Sequence, residues 1–274
     1  MLRLRLTGLF WCVSSVLQAM DGTEAFPEDP TPPAISPQAM DSNNKLQQVA
    51  PKEDARSDRT FAKSFDVNVK NLVSTGRNKF FILKPGFQLQ YDGEKGSSQT
   101  ITVLNETKLV DGVETRVVEK REFEDGKLSS VNRTYMALDK SNNNLYLFGE
   151  DIDEYEDGKL TGHEGSWTAG EDGARFGLML SGAPETGQRY YQNQAPKKSM
   201  DRAEVISLGN KMTVPAGTFE NCLKTVETTD LDSSKDVNYY APEVGPVIDG
   251  EYKLTKYGIT NAPSERALPD AIEK

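Results

Sequence analysis

Six Asp-Gly pairs punctuate residues 59–260, at 92–93, 111–112, 125–126, 157–158, 172–173 and 249–250. No other feature limits the fold as strongly. A tight two-residue hairpin turn needs positive φ at both central residues, which Asp tolerates and Gly adopts without steric penalty. Between the pairs, side chains alternate. Residues 99–139 read as three long strands joined at Asp111-Gly112 and Asp125-Gly126. Ile101 and Val103, then Val113, Thr115 and Val117, then Val131, Arg133 and Tyr135, alternate with charged neighbours. One face of such strands meets a core and the other meets water. Further runs follow, among them NLYLFGE, RFGLML, AEVISL and VNYYAP. In TVPAGTFEN, Pro215 is suited to open a turn and Gly217 to take positive φ. No apolar pattern of helical period extends beyond about a dozen residues. The expected fold class is all-β: an antiparallel meander curved into a half-barrel or barrel. A sheet this large curls or closes to limit its exposed edges.

The ends of the chain read differently. Arg3 and Arg5 precede an apolar run from Leu9 to Leu17, followed by Ala19. That is the pattern of a secretory signal peptide over residues 1–19, and the run is shorter than the roughly 20 residues of a membrane span. Residues 20–58 are rich in Pro, Ala, Gln and charge, with almost no aromatic or β-branched content. They bury too little surface to offset ordering entropy, so a disordered N-terminal leader is expected. Residues 59–260 form the single antiparallel β domain and 261–274 a flexible tail. The expected location is exported, periplasmic or extracellular, with no transmembrane segment in the mature chain.

The net charge of −10 argues against nucleic acid as a partner, since phosphate binding needs clustered Lys and Arg. Only two cysteines occur, and Cys12 lies in the signal region. Trp11 before it does not suit lipidation. Processing leaves Cys222 alone, a small apolar strand residue with no partner to lower its pKa.

The stretch 146–167, YLFGEDIDEYEDGKLTGHEGSW, holds seven carboxylates and the only histidine, His163. The acids from Glu150 to Asp157 read as a solvated acidic edge at a strand end and turn. His163 reads as a partly buried residue bonded to a carboxylate or carbonyl. His163 and Glu164 are the candidate catalytic pair, within a set of carboxylates from Glu150 to Glu164 that a secreted hydrolase would use. The surrounding HEGSW lacks the glycine-serine elbow of esterases, and no phosphate-cradling loop is present. A calcium frame places Asp139, Ser141, Asn143 and Glu150 at ligand positions 1, 3, 5 and 12, though Asn144 stands where the sharp-turn glycine belongs. Strands flank it where helices are needed, so a plain hairpin is expected. Trp167, Tyr190 and Tyr191, with Tyr239 and Tyr240, are candidate ligand-binding aromatics or core packing. No cofactor is expected.

The runs KFFILKPGFQLQY, RYYQNQAPKKSMDRAEV and YYAPEVGPVIDGEYKLTKYG, with those between them, resemble a family of exported, β-rich bacterial proteins of unknown function, over about residues 79–258. The resemblance implies one exported β domain and transfers no reaction and no site residue. The expected role is a non-enzymatic exported module binding an apolar ligand in a concave sheet, or an envelope partner. The alternatives are the secreted hydrolase and a calcium-stabilised structural domain.

Overall fold

The computed structural model describes residues 60–260. The signal peptide, leader and tail expected from the sequence lie outside the described residues. Within them the chain is dominated by antiparallel strands. Four of the six Asp-Gly pairs make left-handed turns, with φ of 48° and 75° at Asp111 and Gly112, 50° and 75° at Asp125 and Gly126, 48° and 76° at Asp157 and Gly158, and 49° and 77° at Asp172 and Gly173. The other two do not. Asp92 ends its strand, and Gly93 at φ −109° precedes a short 3-10 turn. Asp249 pairs with Tyr252, so the loop is Gly250-Glu251 and Asp249 is a buried strand residue.

The strands Ser98–Val110, Val113–Glu124, Lys127–Asp139 and Leu145–Glu156 are successive neighbours. So are Asp201–Val214, Gly217–Thr229, Lys235–Ala241, Gly245–Asp249 and Tyr252–Ile259. Phe87–Asp92 joins the two groups, pairing with Tyr252–Ile259 and Ser98–Val110. The far edges approach through residues 189–194. Arg189–Tyr191 pairs with Asp201–Val214, and Asn193–Gln194 pairs with Arg175–Leu180. This nearly closes the sheet into a barrel, the arrangement that leaves the least edge unpaired.

The two ends differ. One carries the turns at 111–112, 140–144, 215–216 and 242–244. The short Gly76–Asn78 and Phe81–Leu83 hairpin packs at this end, burying Phe80, Phe81 and Leu83. Asn78 holds it: its Nδ2 donates to the carbonyls of Asn143 (2.8 Å) and Ser181 (3.1 Å). The other end carries the turns at 93–97, 125–126, 157–158, 230–234 and 250–251. Apolar side chains such as Leu89, Ile101, Val103, Leu223 and Val247 fill the middle. No helix among the described residues is long and apolar enough to cross a membrane.

Candidate functional site

The interior beneath that apolar layer is polar. Strand register places Lys120 beside Ile101 and Asn132, and Glu122 beside Gln99 and Ser130. The same face continues through Thr134 to Glu150, which lies opposite Trp167. Across the sheet, Ala203 pairs with Glu227, which pairs with Asp236, and Asn238 pairs with Asp249. Charges on strands that are not neighbours influence one another here: Lys120 feels Asp249, Glu150 and Asp236, and Glu150 feels Asp201. These side chains therefore face each other across the inside, in the half of the barrel away from the Phe80 hairpin.

Hydrogen bonds satisfy only part of this set. Lys120 Nζ donates to Glu122 Oε1 (2.7 Å), and Ser130 Oγ to Glu122 Oε2 (2.6 Å). Asn193 Nδ2 and Ser199 Oγ both donate to Asp201 Oδ2 at 2.7 Å. Tyr240 OH donates to Glu227 Oε1 (3.0 Å), and Gln99 Nε2 donates to Asp249 Oδ2. Both oxygens of Glu150, Oδ1 of Asp249, Oε1 of Gln99 and Oδ1 of Asn132 have no hydrogen-bond partner among the described residues, although each residue is at most 3% exposed. All five are acceptors; the equally buried Asn238 Nδ2, a donor, and the Tyr190 hydroxyl lack partners as well. Burial, then the Asp201 charge, pushes the Glu150 carboxyl well above the usual range. Burial does the same for Asp249 against the opposing pull of Lys120. Burial raises Glu227 to about 7 despite the hydrogen bond from Tyr240. For Lys120, burial is outweighed by Glu122 and Asp249, which hold the ammonium above its ordinary value.

Glu150 reaches the interior because of a β-bulge. Register runs Tyr135 to Gly149 and Met136 to Leu147, so Phe148 is an extra residue that inverts the alternation. Tyr146 and Phe148 pack outward with Phe176, and Glu150 turns inward. Gly149 is required at the bend, since a Cβ there would meet the Trp167 carbonyl oxygen at 2.9 Å and Tyr135 at 3.0 Å.

The outer wall carries a different array. Glu119, Arg121, Arg133 and Asp153 point away from the interior on the same strands. Arg133 Nε meets Glu119 Oε2 at 2.9 Å and its NH1 meets Asp153 Oδ2 at 2.7 Å. Arg121 Nε meets Glu119 Oε1 at 2.7 Å. Beside it, where the barrel seam is least regular, a cleft of about 210 Å³ is lined by Trp167, Asp151, Glu171, Asp172, Lys198 and Ala195, among others.

The candidates from sequence separate. His163 lies outside, 61% exposed, with Nδ1 at 2.8 Å from Asp153 Oδ1 and 3.1 Å from the Ile152 carbonyl. The expected partners are there; the expected burial is not, because the chain has already left its strand at Gly162. Glu164 is exposed in the same loop. Of the acids from Glu150 to Asp157, Asp157 is exposed at its turn, Asp151 and Asp153 lie on the outer wall, and Glu150 is fully buried. The solvated edge expected there holds for Asp157 and fails for Glu150, which the bulge re-aims. Asp139 Oδ1 accepts from Ser141 N (2.8 Å) and Ser141 Oγ (2.6 Å), and Asn143 takes φ 60°, closing a hairpin. Glu150 lies five residues along the next strand, about 17 Å away at a strand rise of about 3.3 Å per residue. The four calcium-frame residues are not brought together. Among the described residues no three His, Cys, Asp or Glu side chains converge on a metal-sized site.

Trp167 is buried in the cleft wall, with its Nε1 lacking a partner. Tyr190 is buried inside near Glu227. Tyr191 faces outward against Phe61, its hydroxyl bonded to Asp230. Tyr240 points in and Tyr239 packs under Lys224. No single groove gathers these aromatics. Cys222 is buried, and burial pushes its thiol up. Lys120, Glu227 and Asp249 are not legible as site residues, because the first two sit in an ordinary charged alternation and Asp249 stands before Gly250 as a turn residue would.

Comparison of the chain with protein-family models, with curated proteins and with solved structures finds no match. What the fold and the site define is an antiparallel, nearly closed β-barrel with a polar half-interior.

Proposed function

We propose that this protein is an exported binding module that takes a small polar ligand between the inward side chains around Lys120, Glu150 and Asp249. The observation that carries this is the set of five buried acceptor oxygens without donors, at Glu150, Asp249, Gln99 and Asn132. A buried polar group without a hydrogen bond costs about 1–3 kcal/mol by mutational measures, so folded chains keep few of them. A barrel interior of this size is stably filled by Leu, Ile and Val, as the other half is. Polar groups retained at such a cost fit a role in binding. The apolar concavity expected from sequence is replaced in this half by acceptors, so the ligand class changes from apolar to polar. Export is supported by the N-terminal pattern of Arg3, Arg5 and the following apolar run.

The test is thermal denaturation of the full chain with amines, polyols, sugars and small carboxylates. A bound class raises the melting temperature in proportion to occupancy, and Glu150→Gln removes the rise. If no class raises it, ordered water alone satisfies the interior and the binding reading fails.

A further inference from the structure

The sign of the charge inside the barrel says more about what it binds. This step rests on the binding reading above. Six inward or mouth-facing carboxyls, those of Glu122, Glu150, Asp201, Glu227, Asp236 and Asp249, share the site with one cation, Lys120. Lys120 is already committed to Glu122 at 2.7 Å. Of the inward groups without partners, five are acceptors, one is a donor (Asn238 Nδ2) and one is the Tyr190 hydroxyl; the Trp167 indole N–H stands apart at the seam. The complement of such a site is a positive charge that brings N–H donors with it. We propose that the ligand is a small organic cation with several N–H groups, a primary diamine or guanidinium, held by Glu150 and Asp249.

Other ligand chemistries fit less well. An anion meets the buried carboxyls of Glu150, Glu227 and Asp249 and a single ammonium already engaged by Glu122. A neutral polyol supplies donors but gains nothing from ionisation of the carboxyls beside it. A bare metal ion needs ligands converging within about 2.0–2.6 Å, and no three acidic, His or Cys side chains converge so among the described residues. The carboxyls are instead spread over several strands, which suits an elongated cation that spans them. The seam cleft beside Trp167 is acidic too, with Asp151, Glu171 and Asp172 against Lys198, which is paired to Asp172 at 3.3 Å. Such a field concentrates cations and repels anions.

Binding must also move protons. Glu150 faces Asp201, Glu122 and Lys120 and feels its chain neighbour Asp151 on the outer wall, and Asp249 faces Lys120, Glu227, Glu122 and Gln99. Like charge and burial favour the protonated carboxyls when the site holds no cation; an ammonium among them favours the ionised forms and releases protons.

The experiment is calorimetric titration of the full chain at pH 7 with putrescine, butanediol and succinate, three chains of similar length with amine, alcohol and acid ends. Putrescine is expected to bind and the other two not. Its heat is expected to differ between phosphate and MOPS buffers, reporting proton release. Glu150→Gln and, separately, Asp249→Asn are each expected to weaken binding about tenfold or more. Two positions are used so that a folding defect in one leaves the other informative. Equal or tighter binding of butanediol or succinate overturns the cation assignment and leaves the binding reading standing. Putrescine binding that is unchanged in both folded variants, or that releases no protons, overturns the interior as its site. Failure of all three probes, while a sugar from the wider panel raises the melting temperature, overturns the cation assignment alone. Failure of every class overturns both.

Discussion

Residues 119–122 supply both halves of the most informative contrast in the molecule. Glu119 and Arg121 point outward, and Lys120 and Glu122 point inward, from one strand. Outside, Arg121, Glu119, Arg133, Asp153 and His163 form a ladder in which each acid meets a base at 2.7–2.9 Å. Inside, carboxyls outnumber the single lysine and Glu150 and Asp249 keep oxygens unbonded. Glu119 and Arg133 at the centre of the ladder are as buried as the interior groups, so burial alone does not separate structure from function. Balance does. A ladder with opposite charges matched across strands holds a sheet in register, whereas an unmatched interior spends stability and is retained for something other than the fold.

The sharpest way to break that contrast is to make the ladder behave like the interior. Arg133 is 4% exposed and bonds both Glu119 and Asp153. Arg133→Ala leaves the buried Glu119 with Arg121 alone and Asp153 with the exposed His163. Breaking a buried pair on one side costs about 3–5 kcal/mol, so urea denaturation is expected to show a loss of that size. A loss below about 1 kcal/mol would mean that the ladder is not holding the sheet.

The interior predicts a pH dependence of opposite character. Glu227 is fully buried and its folded value is raised from 4.5 to about 7. The folded protein therefore holds this proton more tightly than the unfolded chain does. The stability it contributes is fully present below about pH 4.5 and is lost as pH rises to about 7, by on the order of 3 kcal/mol at about 1.4 kcal/mol per unit. Glu150 and Asp249, raised in the same direction, extend the decline upward. Denaturation midpoints across pH 4.5–8 test this, with Glu227→Gln expected to flatten the lower part of the curve. A curve that rises over that interval would show the interior carboxyls to be charged and compensated.

Glu150→Gln sharpens the comparison from the other side. The amide keeps the shape and removes the ionisation, so at pH 8 the variant is expected to be as stable as the natural chain or about 1–2 kcal/mol more stable. Near pH 4 the two should converge, because Glu150 is then protonated in both folded and unfolded states. A large loss at pH 8 would mean that Glu150 is a structural anion.

Much of the architecture was legible before any coordinate. The left-handed turns at Asp111, Asp125 and Asp157 and the outward charges between them follow from local chemistry, since a hairpin turn needs only its own two residues and the strand period. The interior was not legible, for three reasons. Lys120 and Glu122 share a charged alternation with Glu119 and Arg121, and no local rule says which of the two faces curls inward. Glu150 changes face at a bulge, whose only trace in the sequence is Gly149 within an otherwise strand-like run. Asp249 looks like a turn residue because Gly250 follows it, but its pairing with Tyr252 moves the turn one residue on. The first depends on closure, which brings together strands more than a hundred residues apart; the other two depend on local register.

At Gly158 the expected effect is smaller and purely local. Its φ is 76°, and an added Cβ would meet nothing within 4 Å. Gly158→Ala therefore pays only the backbone penalty of the left-handed region, about 1 kcal/mol, without a packing loss. A urea midpoint that shifts by more than about twice that would point to an unseen contact at the turn.

The smallest effect is expected at the single histidine, and it separates the two arrays most cleanly. His163 ends the outer ladder, bonded to Asp153 but 61% exposed. An exposed ion pair contributes about 0–1 kcal/mol, and Asp153 keeps its stronger partner Arg133 when the imidazole is removed. His163→Asn should thus shift the urea midpoint by less than about 0.5 kcal/mol and leave putrescine binding as it was, since Glu150 lies on the opposite face of the strand. A stability loss above about 2 kcal/mol would make His163 a clamp on Asp153. A loss of binding with stability unchanged would carry the site to the outer wall, where His163, Glu164 and Asp153 stand together, and would favour the hydrolytic chemistry that those residue types allow.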